Sequence, residues 1–204
     1  MKTKTMSAVL VTAMLIAGGV PSTTVRAQEG GPKEGIKVHG HWAVDVRNAD
    51  GGLASHTEFE NALVGGNLIL AQALTQSVTL GSWSISVAGV GNPCAAELPR
   101  HFCVITDVAS TNERGGPTKS WAPTLQATPN VQTGTVTLTG WIQAPAAGSI
   151  TIVQTYLNSC GAQTPISDCH AGTIANSFTG TTASPGIAVI ADQIIQFTVT
   201  ISFS

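Results

Sequence analysis

The chain has 204 residues, of which 10% are charged, and its formal net charge at pH 7 is −2. Globular proteins carry about 25% charged residues, so the low charge indicates a surface that is rich in Thr and Ser or covered by neighbouring molecules. This balance provides no basic patch, which excludes a nucleic-acid partner.

The N-terminal segment has the organisation of a secretory signal peptide. Residues 1–5 contain two lysines, and residues 7–20 form an apolar run without charge. Val25 and Ala27 then supply the small residues that signal peptidase recognises, which predicts cleavage after Ala27. Because the apolar run is too short for a stable membrane span, residues 1–27 are predicted to be a signal peptide.

The rest of the chain fits a single domain. Residues 28–35 (QEGGPKEG) have the composition of a flexible leader, and residues 36–204 are long enough to bury one core. No second run of 18 or more apolar residues follows in the sequence. We therefore expect a secreted protein, extracellular or periplasmic, without a membrane span after cleavage.

Four cysteines fit the oxidising compartment that a signal peptide implies. They form two segments of equal spacing, CAAELPRHFC from Cys94 to Cys103 and CGAQTPISDC from Cys160 to Cys169. Each segment is self-contained, which favours two local disulfides, Cys94–Cys103 and Cys160–Cys169, among the three possible pairings. The competing interpretation, a zinc site of all four cysteines, lacks the C-x2-C spacing of zinc ribbons, and we expect no cofactor.

Alternation of apolar and polar residues dominates the chain and predicts β-strands. The clearest case is the C-terminal segment, in which Ile195, Phe197 and Val199 alternate with polar residues. A strand with this pattern is buried on one face only. The predicted strands are residues 36–47, 53–60, 82–88, 102–108, 133–142, 149–157, 173–179 and 194–203.

One short helix interrupts the strands. The segment GGNLILAQALTQ predicts a helix near residues 68–76, with Asn67 as its N-cap. Residues 109–131 contain many turn-forming residues and are expected to be a long connection. About eight strands with one short helix indicate an all-β fold, either a β-sandwich or a jelly roll.

The first two strands predict a hairpin with a defined register. Asp50-Gly51 suits a tight type I′ turn. A turn at this dipeptide places Trp42 opposite Phe59 and Val44 opposite Thr57 on the inward face. A slip by one residue would move Trp42 opposite a glutamate, so the hydrophobic pattern favours this register.

The outward face of this hairpin carries histidines and carboxylates. In the predicted register, His41 lies opposite Glu60 and Asp45 opposite His56. A solvated face with weak cross-strand pairs is the interpretation that we favour. The alternative is a metal site with His39, His41 and Glu60 as ligands, because a His-x-His strand can hold one ion.

Catalytic motifs do not occur in the sequence. It contains no G-x-S-x-G elbow, no Gly-rich phosphate loop and no H-E-x-x-H, and we expect a protein without enzymatic activity. Two tryptophans are better functional candidates, since Trp121 lies in a predicted polar loop and Trp141 ends a Thr-rich strand. Partly exposed tryptophans can stack on sugar rings, so Trp121 and Trp141 are candidate glycan-binding residues.

Two families resemble parts of this chain. FENALVGGNLILAQAL, residues 59–74, resembles a motif of bacteriophage tail-fibre and tail-associated proteins, which also end in an alternating strand like QIIQFTVTISFS, residues 193–204. The signal peptide, the disulfides and the penultimate Phe203 resemble chaperone–usher pilins, in which GIKVHGHWAVDV, residues 35–46, would correspond to a donor strand. The first resemblance implies a shared β fold, and the second implies an all-β surface subunit.

Together these patterns predict a secreted, non-enzymatic structural or adhesive surface protein that assembles with copies of itself through its edge strands. The segment 194–203 is expected to be an open edge that can pair with another subunit. The alternative is an extracellular carbohydrate-binding module, which binds surface glycans through Trp121 and Trp141. A metal-dependent protein built on the histidines of the first strand is the third hypothesis.

Overall fold

A computed structural model describes most of residues 36–204, which belong to one compact unit. The predicted signal peptide and leader lie outside the described residues, so both remain predictions. The described ranges are residues 36–90, 102–107, 119–169 and 174–204.

The described chain contains ten strands, one α-helix and a short 3-10 helix. In chain order these are β1 (Val38–Arg47), β2 (Leu53–Leu63), α1 (Gly66–Leu74), β3 (Val78–Val90), β4 (Phe102–Ile105), β5 (Lys119–Ala122), β6 (Gln126–Asn130), β7 (Thr135–Gln143), β8 (Gly148–Gly161), the 3-10 helix (Ile166–Asp168), β9 (Ile174–Val189) and β10 (Ile194–Phe203). In this part of the chain, no helix is both long enough and apolar enough to cross a membrane.

The strands form two packed sheets, which confirms the prediction of an all-β sandwich. Neighbouring strands follow the order β5-β4-β3-β8-β9-β2-β1-β10-β7-β6, and among the described pairs only β4 and β5 run parallel. The link between the two sheets is the pairing of β9 with β2. It consists of two residue pairs, Ala62 with Gly180 and Leu63 with Thr179.

Period-two alternation builds the core between the sheets. In β10, Ile195, Phe197 and Val199 are fully buried, as the sequence pattern predicts. Trp42 in β1 is also fully buried, and its ring stacks on Phe59 of β2 with centroids 5.8 Å apart. Aromatic pairs of this kind stabilise a protein by about 1 kcal/mol beyond the area that they bury.

β10 is not an open edge, which corrects the prediction for residues 194–203. It lies between β1 and β7 and pairs with both strands along nearly its whole length. The sequence pattern reports that one face of the strand is buried, but it does not report how many strands the backbone bonds. Because both sides of β10 are occupied, this strand cannot accept a strand from another molecule.

Two strands occupy the end of the predicted connection over residues 109–131. β5 pairs with β4, and β6 pairs with β7. All five residues of β6 are exposed, so no alternation marks this strand in the sequence. β9 likewise extends to Val189, ten residues past its predicted end, through a segment rich in Thr, Ser, Gly and Pro.

The predicted helix is present, but it begins earlier. It spans Gly66–Leu74 rather than residues 68–76, and its N-cap is Gly65 rather than Asn67. Asn67 lies in the first turn, where its Oδ1 accepts a hydrogen bond of 2.9 Å from the Leu68 N–H. This bond engages one of the first N–H groups of the helix, which have no partner one full turn earlier.

The register of the β1–β2 hairpin is the predicted one, but its turn is longer. Trp42 pairs with Phe59, whereas a register shift near the turn pairs Arg47 with Leu53. Five residues, 48–52, therefore connect the strands instead of two. Of these, Gly51 alone has a positive φ, whereas a type I′ turn requires positive φ at both central positions.

One of the two predicted disulfides is described in full. Cys160 and Cys169 are bonded to each other. Cys103 is buried and disulfide-bonded, and its predicted partner Cys94 lies outside the described residues. Disulfide use is consistent with an oxidising compartment, extracellular or periplasmic.

Candidate functional site

A cleft opens between β2 and β9. The two strands pair at Ala62 and Leu63 and separate toward the beginning of β2. The cleft has a volume of about 500 Å³. It is lined by Ala54, Ser55, Thr57, Glu58 and Phe59 of β2 and by residues 182–188 of β9.

A hydrogen bond just after β2 shows which of its peptide groups point into the cleft. The Val64 N–H donates to the Phe178 carbonyl at 2.9 Å, so Val64 bonds toward β9. Successive peptide groups of a strand point to opposite sides, so from Ser55, beyond the register shift near the turn, the even-numbered residues of β2 point toward β9. Along the cleft these are His56, Glu58 and Glu60. Each lies opposite a residue of β1, but the backbone bonds to β1 belong to the odd-numbered residues, and no described strand pairs with these three on the β9 side.

The opposite wall of the cleft is an interrupted strand. In β9, residues 183–186 bulge out between Thr182 and Ile187, which both pair with β8. The bulge contains Pro185, which has no N–H to donate. A bulge with a proline cannot continue a regular ladder, so this side of β9 offers no continuous edge.

A proline also closes the edge at β6, the last strand of the order. The Phe203 N–H donates to the Gly134 carbonyl at 2.9 Å just before β7, so the even-numbered residues of β7 bond toward β10. Odd-numbered residues of β7 therefore bond toward the even-numbered residues of β6. The outward peptide groups of β6 are those of Ala127 and Pro129, and Pro129 has no N–H to offer to an incoming strand.

The β2 edge therefore differs from the edges of β5, β6 and β9. β5, at the opposite end of the order, has only four residues, and a proline interrupts both β6 and β9. From Ala54 to Glu60, β2 presents seven residues that neither a described neighbour nor a proline closes. Such an edge is a template for pairing with another chain, and we name residues 54–60 the free β2 edge.

Asn61 connects β2 to both β1 and β9 at the end of the cleft where β2 and β9 begin to pair. The indole N–H of the fully buried Trp42 needs an acceptor. The Asn61 amide, oriented so that its hydrogen-bonding groups are satisfied, accepts hydrogen bonds from Trp42 Nε1 and Thr179 Oγ1. Its nitrogen donates to the Gly40 carbonyl at 3.0 Å. Thr179 Oγ1 also lies 2.7 Å from Thr155 Oγ1, which extends the network into β8.

Neither Asn61 nor the role of the two prolines was predicted from the sequence. A signal for Asn61 exists, because it follows Thr57 and Phe59 on the inward face of β2. A polar residue at an inward position needs a buried partner. For Pro129 and Pro185 no comparable signal exists, since their effect depends on which side of each strand is bonded.

The outward face of the hairpin carries a small charged network. His56 Nδ1 lies 2.5 Å from Asp45 Oδ1, and His56 Nε2 lies 3.1 Å from Glu58 Oε1. Arg47 approaches the second oxygen of Asp45 at 3.4 Å. The hydrogen bond to Asp45, followed by that to Glu58, raises the pKa of His56 above its ordinary value. Protonated His56 is thus favoured by carboxylates on both sides.

The predicted metal ligands do not come together as a set of three. His41 Nδ1 lies 2.8 Å from Glu60 Oε1, as the register requires. His39 lies further along β1, opposite Ala62 rather than a carboxylate. Within the described ranges, no group of three or more His, Cys, Asp or Glu residues is arranged to hold a metal ion. The histidine face is therefore a set of cross-strand pairs.

The two candidate glycan-binding tryptophans lie in strands. Trp141 in β7 is 48% exposed. Thr124 Oγ1 accepts a hydrogen bond from the Trp141 N–H at 3.0 Å and donates to its carbonyl at 2.6 Å, which fixes the backbone. Trp121 belongs to β5, where it pairs with Val104, and not to a loop; its side chain lies outside the described part.

Comparisons of the chain with protein-family models, with curated proteins and with solved structures give no match. The functional candidates consequently rest on the geometry of the free β2 edge and on the exposure of Trp141.

Proposed function

We propose that this protein is a secreted, non-enzymatic structural or adhesive surface component that associates with copies of itself through the free β2 edge. One observation carries the proposal: the outward peptide groups of His56, Glu58 and Glu60 have no partner among the described strands. Strand addition satisfies such groups with main-chain hydrogen bonds, each of which contributes about 1 kcal/mol net.

Two further observations support the proposal. The Cys160–Cys169 disulfide suits a protein that works outside the cytoplasm. Pro129 in β6 and Pro185 in β9 suit a protein in which the β2 edge is kept for association and these two edges are closed against it, as natural sheets close edges that must not aggregate.

The test is the assembly state of residues 28–204, purified in oxidised form, as a function of concentration. His56→Pro removes one outward N–H of β2 without touching a bond to β1, because the inward bonds belong to the odd-numbered residues. His56→Thr is the matched control, since it removes the same side chain and keeps the N–H.

We expect wild-type protein and His56→Thr to self-associate in sedimentation velocity, and His56→Pro to associate at least about tenfold more weakly. Circular dichroism should show the same fold for all three proteins. A wild-type protein that stays monomeric at the highest attainable concentration contradicts the proposal, as does a folded His56→Pro variant that associates as well as wild type does.

A carbohydrate-binding module is the second candidate function, and the exposure of Trp141 favours it. An exposed indole on a fixed backbone is a platform for stacking on a sugar ring. Titration with a panel of polysaccharides should quench or shift the tryptophan fluorescence of wild type, and Trp141→Ala should abolish this change. Fluorescence that is unchanged across the panel contradicts this function.

A further inference from the structure

We infer that the free β2 edge pairs with the same edge of a second copy, antiparallel and about a two-fold axis at Thr57. The associated species is then a closed dimer rather than a filament, because a two-fold interface uses the same patch on both subunits. This inference rests on the proposed function and adds to it the partner strand, the register and the stoichiometry.

The length of the free edge sets the centre of the pairing. The edge runs from Ala54 to Glu60, and beyond it β9 occupies the side of β2 at Ala62. Thr57 is the midpoint of these seven residues. An antiparallel copy centred at Thr57 uses the whole edge and stops where the pairing with β9 begins.

The direction of the peptide groups permits this register. In an antiparallel ladder, residues that exchange hydrogen bonds face each other and alternate with residues that do not. A centre at Thr57 places His56 opposite Glu58 of the second copy and Ala54 opposite Glu60. His56 and Glu58 bear outward peptide groups, so the hydrogen-bonded pair of these two residues is complete on both sides of the axis.

Side-chain charge selects the same register. His56, whose neighbours in its own chain are Asp45 and Glu58, with Arg47 beyond Asp45, faces the Glu58 carboxylate of the second copy across the axis. A shift by two residues in one direction would place His56 opposite His56 of the second copy. A shift in the other direction would place Glu58 opposite Glu58 of the second copy. Like charges directly opposite each other are destabilising, so length and charge agree on Thr57.

A single cysteine tests the register. In this dimer Thr57 faces its own copy as a non-hydrogen-bonded pair, for which the Cα atoms lie about 4.5 Å apart, a distance that a disulfide can span. Ser55→Cys is the control, because Ser55 also lines the cleft but would lie about 13 Å along the strands from its copy.

Under mild oxidation, we expect Thr57→Cys to form a covalent dimer in non-reducing electrophoresis and Ser55→Cys to stay monomeric. A wild-type protein that is monomeric at all concentrations overturns the proposed function. A wild-type protein that associates, combined with no cross-link at Thr57 or an equal one at Ser55, overturns only the register.

A charge exchange provides an independent readout if a cysteine variant fails to fold. His56→Glu places glutamates opposite each other in both symmetry-related pairs and should weaken the dimer about tenfold. The double variant His56→Glu with Glu58→His should bring the dissociation constant back to within about threefold of wild type. A double variant as weak as the single one contradicts the pairing of residue 56 with residue 58, and light scattering that finds filaments contradicts the two-fold axis.

Discussion

The two halves of β2 differ in what lies beside them, although they belong to one strand. Residues 61–64 bond to β9, and Asn61 joins β1, β2 and β9 through its amide. Residues 54–60 face a cleft of about 500 Å³ instead. β1 pairs with both halves in one register, so the difference arises on the β9 side.

The bulge in β9 accounts for the divergence. Up to Thr182 the strand keeps its ladder with β8, and residues 183–186 then leave it. A bulge bends a strand and increases its twist, which turns β9 away from the free half of β2. One strand can therefore be paired in one half and unpaired in the other. A few polar contacts hold β2 to β9 at residues 61–64, and the extra residues 183–186 of β9 prevent pairing at residues 54–60.

Substitutions at the paired half of β2, residues 61–64, and at its contacts should destabilise the fold more than substitutions at the free half. Gly40→Ala in β1, next to Asn61, should have the largest effect. A Cβ at Gly40 would collide with the Asn61 side chain. Either the amide moves and loses its bonds or the strands separate, so we expect the free energy of unfolding to fall by about 3 kcal/mol.

Urea denaturation measures this loss, and Gly161→Ala is the control. A Cβ at Gly161 meets nothing closer than Thr164 Oγ1 at 3.9 Å, so this variant should lie within about 0.5 kcal/mol of wild type. Equal stabilities of the two variants would contradict a collision between a Cβ at residue 40 and the Asn61 side chain.

Asn61→Ala should have the next largest effect, about 2 kcal/mol. It leaves the buried Trp42 N–H without a partner, and an unsatisfied buried polar group costs about 1–3 kcal/mol. In a double-mutant cycle, Trp42→Phe should recover part of the loss, because it removes the orphaned donor. Additive losses would mean that the two side chains are not coupled.

Protonation of His56 should have the smallest effect and should act on the free half. Its pKa is raised in the folded state, so its stabilising contribution is complete below its unfolded-state pKa of about 6.5 and is lost as the pH rises through the folded-state pKa. Titration of the imidazole by NMR should show a raised pKa in wild type and a lower one in Asp45→Asn. An unchanged pKa in that variant would exclude Asp45 as the main cause.

The sequence was sufficient to predict the features that depend on alternation or on local spacing. Pairing of Trp42 with Phe59 follows from the hydrophobic pattern of two adjacent strands, since a slip by one residue would expose the aromatic rings. The Cys160–Cys169 bond follows from a segment that closes on itself. Burial of Phe197 and its neighbours in β10 follows from period two.

Features that depend on which strands lie side by side were not predicted correctly or were missed. An alternating strand such as β10 has the same pattern whether it is an edge or lies between β1 and β7. β6 has too few inward side chains to show a period, and the extension of β9 is composed of residues that usually mark turns. The free β2 edge results from the bulge in β9, a strand distant in the sequence, so no local pattern could reveal it.

Residue-resolved hydrogen exchange at low and high protein concentration tests strand addition at β2 most directly. The amides of His56, Glu58 and Glu60 point into the cleft and should exchange rapidly in dilute protein. We expect their exchange to slow as the concentration rises, while the outward amide of Ala127 on the proline-closed edge of β6 stays rapid throughout. Exchange at these three β2 amides that does not depend on concentration, or protection that appears at Ala127 instead, contradicts association through the free β2 edge.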